Sequence, residues 1–134
     1  AVALPDGGLV TPTMRAADTN DLYSLSREWK DMVGRTMEGK LKPSEMGGTF
    51  TISNLGMFGV SDFVSILPPG TGAILAVAAS TPTFVQQKNG MMGMVKQMTV
   101  TLTCDHRHIY GADAAKFLKD LAELIENDME SLLF

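Results

Sequence analysis

The sequence predicts an α/β domain: a two-layer mixed sheet with helices on one face. Three observations carry that prediction. Two stretches repeat their apolar residues at three-and-four spacing, which marks amphipathic helices. Between them Ala73-Ile74-Leu75-Ala76-Val77-Ala78 is a continuous apolar run, expected of a central strand. Around that run several short segments alternate apolar and polar side chains. The order is strands, helix, several strands, helix, and two long helices can cover only one face of such a sheet.

The elements follow in order. Val2–Leu4 and Leu9–Thr11 flank Pro5-Asp6-Gly7-Gly8, whose glycines suit a tight hairpin. Asp18 or Thr19 is placed to cap a helix that runs to about Met37. Its inward face holds Leu22, Leu25, Trp29, Met32, Val33 and Thr36. Gly39 ends it, and Lys42-Pro43-Ser44 begins a short turn. Thr49–Ser53 alternates as a half-buried strand, with Phe50 and Ile52 opposite Thr49, Thr51 and Ser53. Asn54–Gly59 and Pro68–Gly72 read as glycine-punctuated loops. Thr83–Gln87, Asn89-Gly90 and Val95–Thr103 read as a hairpin with a long last strand, and Ala112 to about Asn127 as the second helix.

Composition sets the outer bounds. The chain has 134 residues, 45% hydrophobic and 19% charged, enough for one packed domain. Net charge is -4 with scattered lysines and arginines, so nucleic-acid binding has no electrostatic basis. The longest apolar stretch, Ala73–Ala79, is far too short to span a bilayer as a helix. A single cysteine rules out an internal disulfide framework. Ala1-Val2-Ala3-Leu4 reads as a strand rather than as a signal or transit peptide, and suggests a piece of a longer protein that opens inside a sheet.

Cys104-Asp105-His106-Arg107-His108-Ile109-Tyr110-Gly111 carries the chemistry. It places a histidine where an alternating strand ends and a helix is about to begin, and histidine exchanges protons near neutral pH. By residue type alone a histidine such as His106 is more often a surface or hydrogen-bonded structural residue than a base. Cys104, Asp105, His106 and His108 also suggest metal ligands, but alternation splits them across two faces and no second Cys/His pair exists, so no metal is expected. Gly56, Gly59, Gly70 and Gly72 lack phosphate-loop or dinucleotide spacing and read as turns. Gly90-Met91-Met92-Gly93-Met94 reads as a hairpin tip.

Four segments in order resemble the catalytic domain of the dihydrolipoamide acyltransferases, the core components of 2-oxo-acid dehydrogenase complexes. They are Gly7–Pro12, Gly48–Gly56, Leu67–Leu75 and Asp105–Gly111. The resemblance implies a chloramphenicol-acetyltransferase-like fold, with residues 1–134 as the C-terminal portion of the domain and the lipoyl and subunit-binding domains absent. It implies acetyl transfer between a dihydrolipoyl thiol, carried on a domain outside this chain, and coenzyme A. His106 would be the base and Ser53 the oxyanion donor, each from a neighbouring subunit of a homotrimer. Trimers would build a larger core that recruits pyruvate dehydrogenase and dihydrolipoamide dehydrogenase components.

The family pattern is His, three residues, then Asp-Gly, and Tyr110 stands where the Asp is expected. That departure resembles the plastid branch of the family and suggests the chloroplast stroma, with the mitochondrial matrix or bacterial cytoplasm as alternatives. Asp105 is not expected to orient His106, because adjacent strand residues point to opposite faces. A backbone carbonyl is expected to do so, and Asp105 and Arg107 to form a structural pair. Two alternatives stay open: a catalytically idle core module, which Tyr110 favours, and a stand-alone acetyltransferase of the chloramphenicol type.

Overall fold

The computed structural model describes residues 1–133. A hairpin of β1 (Val2–Ala3) and β2 (Leu9–Val10) opens the chain. Its turn closes through Gly7 N–H to Leu4 O at 3.1 Å and Leu4 N–H to Gly8 O at 3.1 Å. Gly7 and Gly8 hold φ of 86° and 100°, a region other residues avoid.

Helix α1 (Leu22–Met37) starts one turn later than the sequence suggests. Ala17–Thr19 forms a short 3-10 turn, and the cap is Asp21 rather than Asp18 or Thr19. Its carboxylate accepts from Ser24 N–H at 3.0 Å and Ser24 Oγ at 2.6 Å, so one side chain serves two donors. Met32 and Thr36 are buried on the expected stripe, but Leu22 at its start and Trp29 midway along it stay exposed. Arg35 then reaches the 3-10 turn Pro43–Glu45, meeting Glu45 through paired contacts of 2.6 and 2.7 Å. That pairing holds the Glu45 carboxyl down to about 2. Glu45 O in turn accepts from Thr13 N–H at 2.7 Å, tying the amino-terminal segment to this corner.

The site-bearing sheet has three strands in the order β3 (Phe50–Asn54), β4 (Ala73–Val77), β7 (Val100–Cys104). β3 runs parallel to β4 and β7 antiparallel, so the sheet is mixed, as expected. Ala73, Ile74, Leu75 and Ala76 are all buried, so both faces of the central strand are out of water. Helix α2 (Gly111–Asn127) packs on one of them, its Phe117 ring 5.7 Å from Phe50.

Two expectations need correction. The long strand Val95–Thr103 is two strands: β6 (Met92–Gln97) pairs with β5 (Thr81–Gln86), and β7 pairs with β4. The break is forced on the opposite side. Ala78 N–H still donates to Thr99 O at 3.0 Å, but Ala79 turns away to Val60 O at 2.8 Å before the second ladder starts at Thr81 and Gln97. Alternation is regular from Met98 to Cys104, but Lys96 and Gln97 are two polar residues in a row, and that interruption of the pattern falls at the bend.

The second correction concerns β3. Its faces alternate as expected, but the buried one carries Thr51 at 8% exposure, whereas Ile52 is 55% exposed. β3 is a sheet edge, and beyond the Phe50–Phe117 contact its apolar face lies open in a single copy. Met57, Phe58, Val64 and Ile66 are exposed as well. Apolar exposure on this scale marks an interaction surface.

Candidate active site at the two ends of the sheet

β7 ends at Cys104, and the chain at once folds into a turn hung on Asp105. Asp105 N–H donates to Gly72 O at 2.8 Å, and Asp105 O accepts from His108 N–H at 3.3 Å and Ile109 N–H at 3.0 Å. The Asp105 carboxylate accepts from Arg107 Nε at 2.9 Å, from its terminal guanidinium nitrogen at 2.6 Å and from its backbone N–H at 3.1 Å. These bonds hold the Asp105 carboxyl well below the usual carboxylate range and raise Arg107. The structural pair expected between these residues is therefore present, and Asp105 is engaged away from His106.

His106 sits exposed at the outer bend of this turn. The expected backbone carbonyl is not there: among the described residues its ring makes no hydrogen bond. What it meets is Tyr110, edge to face, with ring centroids 5.6 Å apart and planes at 79°. The reason is local. Tyr110 is the N-cap of α2, one helical turn past His106, and its ring reaches back over the bend. Lacking a short acceptor side chain, Tyr110 does not cap the helix amides. Asp113 supplies the reciprocal half, accepting from Tyr110 N–H at 3.4 Å.

Ser53 lies at the far end of the same sheet. In register, Ser53 stands beside Ala76 and Ala76 beside Thr101, whereas Cys104 closes the row that begins at Phe50. Three rows and two strand spacings give roughly 10 Å along the strands and roughly 10 Å across them, about 14 Å in all. His106 is two residues further out. A single copy of the chain thus holds its two candidate residues at opposite ends. A groove of about 510 Å³ beside the His106 turn is walled by Thr49, Gly72, Arg107, His108 and Ile109.

That groove shows what the sequence reading missed. Gly72 does more than close a turn: its N–H donates to Thr49 O at 2.9 Å while its carbonyl accepts from Asp105 N–H. It therefore joins the start of β3 to the histidine turn. A Cβ there would lie 3.2 Å from His108 Nε2, so a larger residue would push this exposed imidazole aside. The signal was a glycine directly ahead of a central strand. His108, read as a loop residue, does lie in the turn, on the groove wall. Among the described residues no group of three or more His, Cys, Asp or Glu side chains is arranged to hold a metal ion.

Residues 1–133 match the family described as 2-oxoacid dehydrogenases acyltransferase (catalytic domain). The chain belongs to this acyltransferase family. It is 57% identical over its whole length to a chloroplastic dihydrolipoyllysine-residue acetyltransferase component of the pyruvate dehydrogenase complex of Arabidopsis thaliana, covering 29% of that protein. A Rhizobium meliloti relative of the same description is 44% identical over 99% of the chain, which covers 30% of it. The acyltransferase chain superposes on a structure of Azotobacter vinelandii dihydrolipoamide acetyltransferase with a TM-score of 0.89 at 33% identity, covering 99% of this chain and 54% of that one. That work addressed the catalytic roles of one serine, one histidine and one asparagine. The cubic core of a pyruvate dehydrogenase multienzyme complex matches with the same score and coverage. The chain therefore spans under a third of these curated relatives and about half of the solved cores, whose fold is chloramphenicol-acetyltransferase-like.

Proposed function

We propose that the chain is the C-terminal portion of the catalytic domain of a dihydrolipoyllysine-residue acetyltransferase of a pyruvate dehydrogenase complex. It moves an acetyl group between the dihydrolipoyl thiol of a lipoyl domain and coenzyme A. The observation that carries this reading is the separation of Ser53 and His106 across the sheet, joined to membership of the acyltransferase family. A serine and a histidine that serve one reaction yet stand about 14 Å or more apart require a second copy to complete the site. The uncovered apolar side chains Ile52, Met57 and Phe58 around Ser53 supply a surface on which that copy can pack. A homotrimer within a larger core would supply that copy, in keeping with the cubic core that the chain resembles, and dehydrogenase components would be recruited through other parts of the protein.

The chemistry balances on these two residues. A ring nitrogen of His106 takes the proton from the coenzyme A thiol, since a free alkyl thiol is mostly protonated at neutral pH. The thiolate attacks the acetyl carbonyl of acetyl-dihydrolipoamide, forming the new carbon–sulfur bond. The Ser53 hydroxyl of the neighbouring copy donates to the oxyanion that develops. Collapse breaks the bond to the dihydrolipoyl sulfur, which leaves as a thiolate and takes the proton back from His106. No metal enters this scheme.

Support for the residue assignment comes from spacing. The serine and histidine addressed in the Azotobacter enzyme are separated as Ser53 and His106 are, to within one residue, and its asparagine follows the histidine by four positions, where Tyr110 stands here. Identities of 57% and 54% to two chloroplastic relatives, against 44% and 42% to bacterial and mitochondrial ones, favour the plastid stroma. Acetyl transfer from acetyl-CoA to dihydrolipoamide by the full-length protein tests the assignment. His106→Ala is expected to lower kcat by roughly a hundred- to ten-thousand-fold. Near-full activity in that variant would remove His106 from the mechanism.

A further inference from the structure

We infer that Tyr110 is a positioning residue for His106: its ring, through the edge-to-face contact, holds the imidazole in the orientation from which it exchanges its proton. The inference rests on the proposed role of His106 as the base.

The turn that carries His106 is fixed on its backbone side by Asp105, through Gly72, Arg107, His108 and Ile109. Within a single copy the imidazole makes no hydrogen bond among the described residues, and the aromatic ring that it meets is Tyr110. Tyr110 is in turn anchored at the start of α2, where its N–H reaches Asp113 and its carbonyl accepts from Ala114 N–H at 3.0 Å.

Tyrosine at this place has no other evident use. Helix N-caps favour Ser, Thr, Asp and Asn, whose side chains satisfy the first amides. Tyr110 does not, and at 58% exposure it adds little to the core. Its hydroxyl makes no hydrogen bond among the described residues. The ring against His106 is what the residue supplies. Where the Azotobacter enzyme has an asparagine four positions after its histidine, this chain replaces a hydrogen-bonding group with an aromatic face.

The test uses the full-length protein with acetyl-CoA and dihydrolipoamide, comparing Tyr110→Phe, Tyr110→Leu and Tyr110→Ala with the unsubstituted enzyme. Phe should keep kcat. Ala and Leu should each lose about two- to tenfold in kcat, the population factor of one aromatic pair. KM for both substrates and the melting temperature should change little. Unchanged kcat in Ala would overturn the proposal. So would a Phe variant as slow as Ala, which would assign the role to the hydroxyl, or a Leu variant as fast as Tyr, which would assign it to bulk. His106→Ala, run beside these, reports separately on the base.

Discussion

Co-assembly of two inactive variants gives the sharpest test of how the site is built. Ser53→Ala and His106→Ala each remove one residue of the proposed site. Within one copy those residues lie about 14 Å or more apart by strand register, whereas a base and an oxyanion donor acting on one carbonyl must both come within about 3 Å of the reacting atoms. No side-chain rotation closes that gap. Each variant alone should therefore be nearly inactive, the serine variant losing about a hundred- to a thousand-fold in kcat as expected for one oxyanion donor. Expressed together in equal amounts, the two chains form mixed assemblies. If each site takes its histidine from one copy and its serine from the next around a ring, about a quarter of the sites regain both groups. Acetyl transfer to dihydrolipoamide, measured on the co-purified assemblies, should recover to about that fraction. Variants purified apart and mixed after assembly serve as the control and should stay inactive. Co-assembled particles with no recovered activity would refute the intersubunit site.

Three further outcomes follow from the geometry. Gly56→Ala places a methyl 3.0 Å from Ala78 O and 3.3 Å from its carbonyl carbon; backbone cannot yield as a side chain does, so thermal unfolding should show a loss of about 1–3 kcal/mol. Tyr110→Asp restores an acceptor at the N-cap of α2 and a negative charge at its start, and chemical denaturation should show a gain of about 1 kcal/mol even as the His106 contact is lost. Arg35 holds Glu45 at about 2, below its ordinary 4.5, so this pair contributes stability that is fully present above pH 4.5 and is lost as pH falls through about 2. The melting temperature of Glu45→Gln should accordingly converge on that of the unsubstituted protein in that window, and lie below it at neutral pH.

Much of the frame is legible in the chain. The run Ala73–Ala78 is the central strand, α1 and α2 lie where three-and-four spacing puts them, and Pro5–Gly8 makes its hairpin. Errors gather where local signals compete. Asp18, Thr19 and Asp21 can all cap a helix, but the 3-10 turn Ala17–Thr19 takes up the first two and leaves Asp21 at the start of α1. The polar pair Lys96-Gln97 interrupts the alternation just ahead of the bend at Met98 and Thr99, and such an interruption reads equally as a bulge within one strand or as a boundary between two. In β3 the pattern tells which residues share a face. It does not tell whether that face meets the chain's own helix or another copy.

The candidate site divides along the same line. The residue types of the 104–111 run, and its place between strand and helix, are properties of the sequence, because a base needs a titratable side chain on a fixed turn and both are written locally. Separations are different. That Ser53 and His106 end on opposite edges of one sheet follows from β3 running parallel to β4 while β7 runs antiparallel, a matter of long-range pairing that no local pattern encodes. The same holds for the Tyr110 ring over His106 and for Gly72 between Thr49 and Asp105. Each depends on where the chain returns after many residues, and only the folded structure decides that.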